Sequence, residues 1–122
     1  MEKVTGIGGV FFRSKDPAAL AEWYHDTLGV TPAPTDMTTP PWVAEGGVTV
    51  FAPFAADTEY FPQTQQVMIN FRVADLDAMV AQLQAAGVEV FNETSMEGVG
   101  RFAHLHDPEG NAIELWEPAG SG

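Results

Sequence analysis

GRFAHLHDPEGNAIELWEP, residues 100–118, reads as two strands joined by a tight turn. At its centre, Asp107-Pro108-Glu109-Gly110-Asn111 supplies what such a turn requires. Proline holds one φ, glycine permits a positive one, and Asp and Asn bond the nearby backbone. On the first arm Phe102, His104 and His106 alternate with Ala103 and Leu105. On the second, Ile113 and Leu115 alternate with Glu114 and Trp116. If the turn closes symmetrically about Glu109, His104 stands across from Glu114 on the same sheet face. Such a pair is either an electrostatic contact or part of a site.

Working outward, a pattern in the N-terminal half repeats in the C-terminal half. Phe12-Arg13-Ser14-Lys15-Asp16 precedes one helical pattern and Phe71-Arg72-Val73-Ala74-Asp75 precedes another. Asp16 is a good N-cap with Pro17 at the first helical position. Leu20, Trp23, Tyr24 and Leu28 then recur at helical spacing until Gly29. In the second copy Asp75 caps, Leu76, Met79, Val80 and Leu83 form the buried stripe, and Gly87 ends the run. Strands are expected over 4–13, 47–53, 66–73, 88–92, 100–106 and 112–118. The Pro- and Thr-rich stretch 31–41 and the stretch 55–66 read as loops. A single domain spanning residues 1–122 is expected, built from two βαβββ modules over about 4–54 and 66–118. The fold class is α+β.

Composition narrows the function classes. At 45% hydrophobic and 18% charged residues the chain is globular. Five Lys and Arg against 17 Asp and Glu give a formal net charge of −12, which argues against nucleic acid or an anionic membrane as partner. With no cysteine, disulfides and thiolate metal sites are excluded. Neither an apolar run of about eighteen residues nor a basic-then-apolar leader occurs, so a cytoplasmic location is expected.

The opening strand, the helices DPAALAEWYHDTLG and VADLDAMVAQLQAAG and the ending DPEGNAIELWEP together resemble the vicinal oxygen chelate superfamily of glyoxalases, bleomycin-resistance proteins and extradiol dioxygenases. The resemblance implies two βαβββ modules forming a curved mixed sheet around a cavity, and one divalent metal held by four inward side chains, two from each module. The implied metal positions fall on Gly9, Thr49, Met68 and Glu114. Glycine offers no donor, threonine is a poor ligand, and methionine is too soft for Mg, Mn or Zn. One ligand of four survives, whereas an open catalytic zinc site keeps three. No cofactor is therefore expected. The alternative is one divalent ion held by Glu114 with His104.

What remains is an apolar cavity with a few polar anchors. Phe11, Trp42, Phe51, Met68, Phe102 and Trp116 are candidate wall residues. Glu114, His104, Asn70, Arg13 and Arg72 are candidate fixing groups, the two arginines matching in the repeats and suited to a carboxylate or phosphate. Each also has a structural reading, as core packing or as an ion pair. His106 and His25 are expected at the surface. Phe54, Tyr60 and Phe61 lie on a stretch long enough to serve as a flap.

Two readings stand side by side. One is a sequestering or resistance-type protein that binds a small organic molecule without metal. The other is a metal-dependent lyase, isomerase or dioxygenase using Glu114 and His104. A homodimer is expected in either case, and the residues leave open whether the protein is an enzyme.

Overall fold

The computed structural model describes residues 1–120. Helix α1 (Pro17–Leu28) begins where Asp16 accepts a hydrogen bond from the Ala19 N–H at 3.2 Å, with Pro17 at the first position. It ends at Gly29, whose φ of 75° closes the last turn without the penalty a Cβ would bring. Helix α2 (Leu76–Ala85) repeats the device, with Asp75 accepting from the Ala78 N–H at 3.0 Å. The Leu76 N–H, a donor the helix itself leaves unpaired, is met by the Glu117 carboxylate at 2.8 Å.

Four strands form one mixed sheet: β1 (Ile69–Arg72), β2 (Phe91–Met96), β3 (Gly100–His106) and β4 (Ala112–Pro118), in the order β1-β4-β3-β2. The β1–β4 pair is parallel and the other two are antiparallel. His104 stands opposite Glu114, the register expected from a turn centred on Glu109.

Strand alternation sends the two faces to different fates. Ala103, Leu105, Ile113 and Leu115 pack against Leu20 and Tyr24 of α1 and Leu76, Val80 and Leu83 of α2 to make the core. Each leucine so buried contributes about 1.5–3 kcal/mol. The opposite face carries Asn70, Arg72, Phe102, His104, Glu114 and Trp116, and no helix covers it.

The β3–β4 turn joins the halves of the chain. Asp107 accepts from the Glu109 and Asn111 N–H groups at 2.9 Å each, and from the Tyr24 hydroxyl of α1 at 2.7 Å. Burial, and then the Asp107 bond, pushes the Tyr24 phenol well above its ordinary range. Glu109 accepts from the Ser14 hydroxyl at 2.7 Å and the Lys15 N–H at 2.8 Å.

The N-terminal half departs from expectation. No strand forms over 4–13 or 47–53, and Phe11 and Phe51 are 95% and 87% exposed. A strand is stable only against a neighbour that takes its backbone groups, and Gly6, Gly8 and Gly9 raise the entropy cost of extending the first segment. The strand expected at 88–92 forms later, at Phe91–Met96, where β3 offers partners from His104, opposite Phe91, to Gly100, opposite Met96. No helix among the described residues is long and apolar enough to cross a membrane.

Candidate functional site

Glu114 is the centre of the sheet face that no helix covers. It is 6% exposed, so its carboxylate needs partners within the protein. Adjacent strands and one loop provide them. The Asn70 amide on β1 donates to Oε1 at 2.7 Å. His104 on β3 presents Nε2 to Oε2 at 2.9 Å, and the Tyr60 hydroxyl donates to the same oxygen. Three different parts of the chain thus converge on one side chain.

His104 is oriented from its other side. The Asn92 amide nitrogen lies 3.3 Å from Nδ1, and an amide N–H pointing there leaves the imidazole hydrogen on Nε2, aimed at Glu114. Asn92 gains this position through a backbone irregularity. The β2–β3 register shifts between Phe91 and Thr94, and Asn92 adopts a φ of 52°, a conformation that asparagine tolerates better than most residues. Bulges of this kind re-aim side chains near functional sites.

A cavity of about 450 Å³ opens beside this network. Tyr60, Phe61, Met68, Phe91, His104 and His106 contribute to its wall, with Asp57 and Glu59 also lining it. His106 stacks on Phe91 with ring centroids 5.0 Å apart, and Tyr60 meets the His104 ring edge-on at 5.3 Å. Burial, and then the bond to Glu114, pushes the Tyr60 phenol up to about 12. Tyr60 therefore stays a hydrogen-bond donor throughout the neutral range.

The candidates from sequence fall into three groups. Glu114, His104 and Asn70 come together, and Met68 lines the adjoining cavity. Phe102 and Trp116 share the face but stack on each other at 6.1 Å, the indole N–H donating to the Val99 carbonyl at 3.0 Å. Arg72 also shares the face, yet its guanidinium donates to the Glu45 and Val48 carbonyls, pinning that segment above the sheet. Phe11, Arg13, Trp42 and Phe51 are exposed and do not line the cavity. His25 is exposed beside Asp26, as expected. Tyr60 was readable only as part of an aromatic loop. Asn92 fell at the end of an expected strand, and its one signal was an asparagine interrupting a β-type run.

The residues at the family's four metal positions do not converge into a divalent-ion site. Gly9 and Thr49 are exposed, and Glu114 already accepts three hydrogen bonds. Among the described residues no group of three His, Cys, Asp or Glu side chains could hold a metal.

Comparison with known proteins agrees with this architecture. Residues 9–116 match the family described as Glyoxalase-like domain. No curated protein matches the chain in sequence. Among solved structures, TnmS3, an antibiotic binding protein from Streptomyces sp. CB03234, is 28% identical with a TM-score of 0.57, covering 86% of this chain and 88% of its own. A glyoxylase/bleomycin resistance protein/dioxygenase domain from Frankia sp. EAN1pec superposes with a TM-score of 0.62 at 16% identity, covering 98% and 96% of the two chains. An integron cassette protein from the mobile metagenome of Halifax Harbour sewage outfall gives 0.59 at 20% identity, with 91% and 99% covered. These last two likenesses concern the fold alone. With the βαβββ-type ending, the matched family and the shared fold in agreement, the chain belongs to the glyoxalase-like domain family of the vicinal oxygen chelate superfamily.

Proposed function

We propose that this protein binds a small organic molecule in the cavity beside Glu114 and does so without a resident divalent metal, as a sequestering or resistance-type protein. One observation carries the reading. The carboxylate at the family's metal position has its oxygens engaged by Asn70, His104 and Tyr60. Three hydrogen-bond donors satisfy a buried carboxylate as a cation would, and the cavity beside them is lined by both aromatic and polar side chains. The antibiotic-binding relative supports small-molecule binding as the class of function.

The same proposal includes a homodimer acting in the cytoplasm. Val4, Ile7, Phe11, Val48, Val50 and Phe51 are exposed in β-type patterns, and among the described residues the outer edge of β1 pairs with no strand. A second copy of the chain is a source of matching strands for both, and unpaired apolar strands favour such pairing.

The metal-dependent alternative is favoured by one observation, the His104–Glu114 contact at 2.9 Å. It would need at least one further ligand. Elemental analysis of protein purified without chelator distinguishes the two readings. We expect far less than one equivalent of metal. About one Zn, Ni, Mn or Fe per chain, removed by Glu114→Ala, would overturn the proposal. In addition, at least one member of a panel of aromatic metabolites and antibiotics should raise the melting temperature, and less so in Phe91→Ala.

A further inference from the structure

Tyr60 is attached to the site in an unusual manner. It belongs to the stretch 54–66, which contains neither helix nor strand. Its residue is 47% exposed, yet its hydroxyl reaches a carboxylate that is 6% exposed. The ring thus lines the cavity half-exposed while its hydroxyl is bonded to a buried group. Its aromatic neighbours are His104, edge-on at 5.3 Å, and Phe54 at 5.6 Å on the same loop.

The two other donors to Glu114 come from the sheet, where pairing with β4 holds them. Asn70 lies opposite Glu114 on β1, and His104 lies opposite it on β3. Tyr60 is the one donor supplied by a loop. When that loop moves away, Oε2 keeps His104 and loses the phenol, and a buried carboxylate oxygen then faces the cavity short of a donor. Leaving it so is costly, which selects for an incoming group able to donate in its place.

The surroundings restrict that group further. The cavity lining includes Asp57 and Glu59 and no Lys or Arg, so an anionic group would meet repulsion from the rim and from Glu114. The walls that would receive it are rings, with Phe91 5.9 Å from His104. An uncharged hydroxyl on an aromatic ring meets both requirements, and it is the chemistry Tyr60 itself presents.

Building on the small-molecule reading above, we propose that Tyr60 is an internal occupant of the binding site, its phenol holding the place at Glu114 and His104 that an aromatic hydroxyl of the ligand takes when the 54–66 loop swings out. Binding is then an exchange of one phenol for another. The protein's own hydroxyl competes with the ligand, and removing it strengthens binding rather than weakening it.

The sign of that effect is the test. Parent protein and Tyr60→Phe are titrated with 2-naphthol and with its O-methyl ether. Tyr60→Phe keeps the ring and deletes the competing hydroxyl, so 2-naphthol should bind it roughly threefold to tenfold more tightly than the parent. The methyl ether, which cannot donate, should bind each protein more weakly than 2-naphthol does. The chain has two tyrosines, so in protein labelled at the tyrosine Cζ carbons the signal missing from Tyr60→Phe belongs to Tyr60. Saturating 2-naphthol should move that signal toward its position in free tyrosine and leave the Tyr24 signal in place. Equal or weaker binding of 2-naphthol by Tyr60→Phe overturns the exchange, as does a Tyr60 signal that stays put at saturation. If 2-naphthol binds neither protein while another panel compound binds both, the exchange fails and the small-molecule reading stands. If no compound binds either protein, both fail.

Discussion

The two halves of the chain carry the same pattern, an apolar segment followed by an aspartate-capped helix and β-type runs, and they end in different states. In the C-terminal half every expected strand finds a neighbour, and Leu83, Leu105 and Leu115 are fully buried. In the N-terminal half α1 forms and docks on the sheet, while the segments on either side of it form no strand and are mostly exposed. A helix satisfies its backbone internally and needs only a face to pack against. A strand must borrow half of its hydrogen bonds from another strand. One repeated pattern therefore yields local structure in both copies and a sheet in only one.

The largest effects that would sharpen this contrast lie in the core. Leu115→Ala should cost about 2–5 kcal/mol in urea unfolding, and the cost should not depend on protein concentration. Phe51→Ala, measured under dilute conditions, should stay within about 0.5 kcal/mol of the parent. A Phe51 cost rivalling that of Leu115 at every concentration would mean that the N-terminal strands are paired within one chain. Next comes a glycine of the ordered half. A Cβ at Gly100 would lie 2.2 Å from the Glu117 carbonyl oxygen and 2.7 Å from the Trp116 indole nitrogen, at a φ of 138°. Gly100→Ala should lower stability by about 1–3 kcal/mol.

A smaller effect tests the joint between the halves. The Lys15 N–H, followed by the Ser14 hydroxyl, holds the Glu109 carboxyl below its ordinary 4.5. A depressed folded-state value contributes stability above the unfolded value that is lost as pH falls through the folded one. The melting-temperature difference between parent and Glu109→Gln should thus be present near neutrality and shrink below about pH 4. A difference that does not shrink at all on acidification would assign the loss to something other than the charge. The smallest effect is expected at Gly47. A Cβ there would meet the Arg72 side chain at 2.9 Å, but a flexible guanidinium can move where the Glu117 backbone cannot. Gly47→Ala should remain within about 0.5 kcal/mol by the same unfolding measurement.

Legibility followed the range of the interaction. Asp16, Gly29 and Asp75 act through groups within a few residues, and they cap the helices where the sequence places them. Glu114 and His104 were legible as a pair because a tight turn fixes the register of its hairpin. Asn70 was legible as a face-mate of Met68, though its bond to Glu114 depends on a parallel pairing across the sheet. Tyr60 and Asn92 were not readable as partners of the site. One arrives from a loop 54 residues away in sequence, and the other is aimed by a bulge that exists only once β2 pairs with β3.

The two helices, the closing hairpin and the placement of a carboxylate opposite an imidazole were all legible in the residues. These depend on caps, turn residues and alternation, all of which act over short stretches of chain. Packing in three dimensions set Arg72 to grip the backbone rather than face the cavity free, put Tyr60 in the place beside Glu114, and left 4–13 and 47–53 outside the sheet. Those outcomes depend on which distant groups reach a buried carboxylate or an open sheet edge first. Such competition is settled by packing and desolvation in three dimensions, and no local pattern records it.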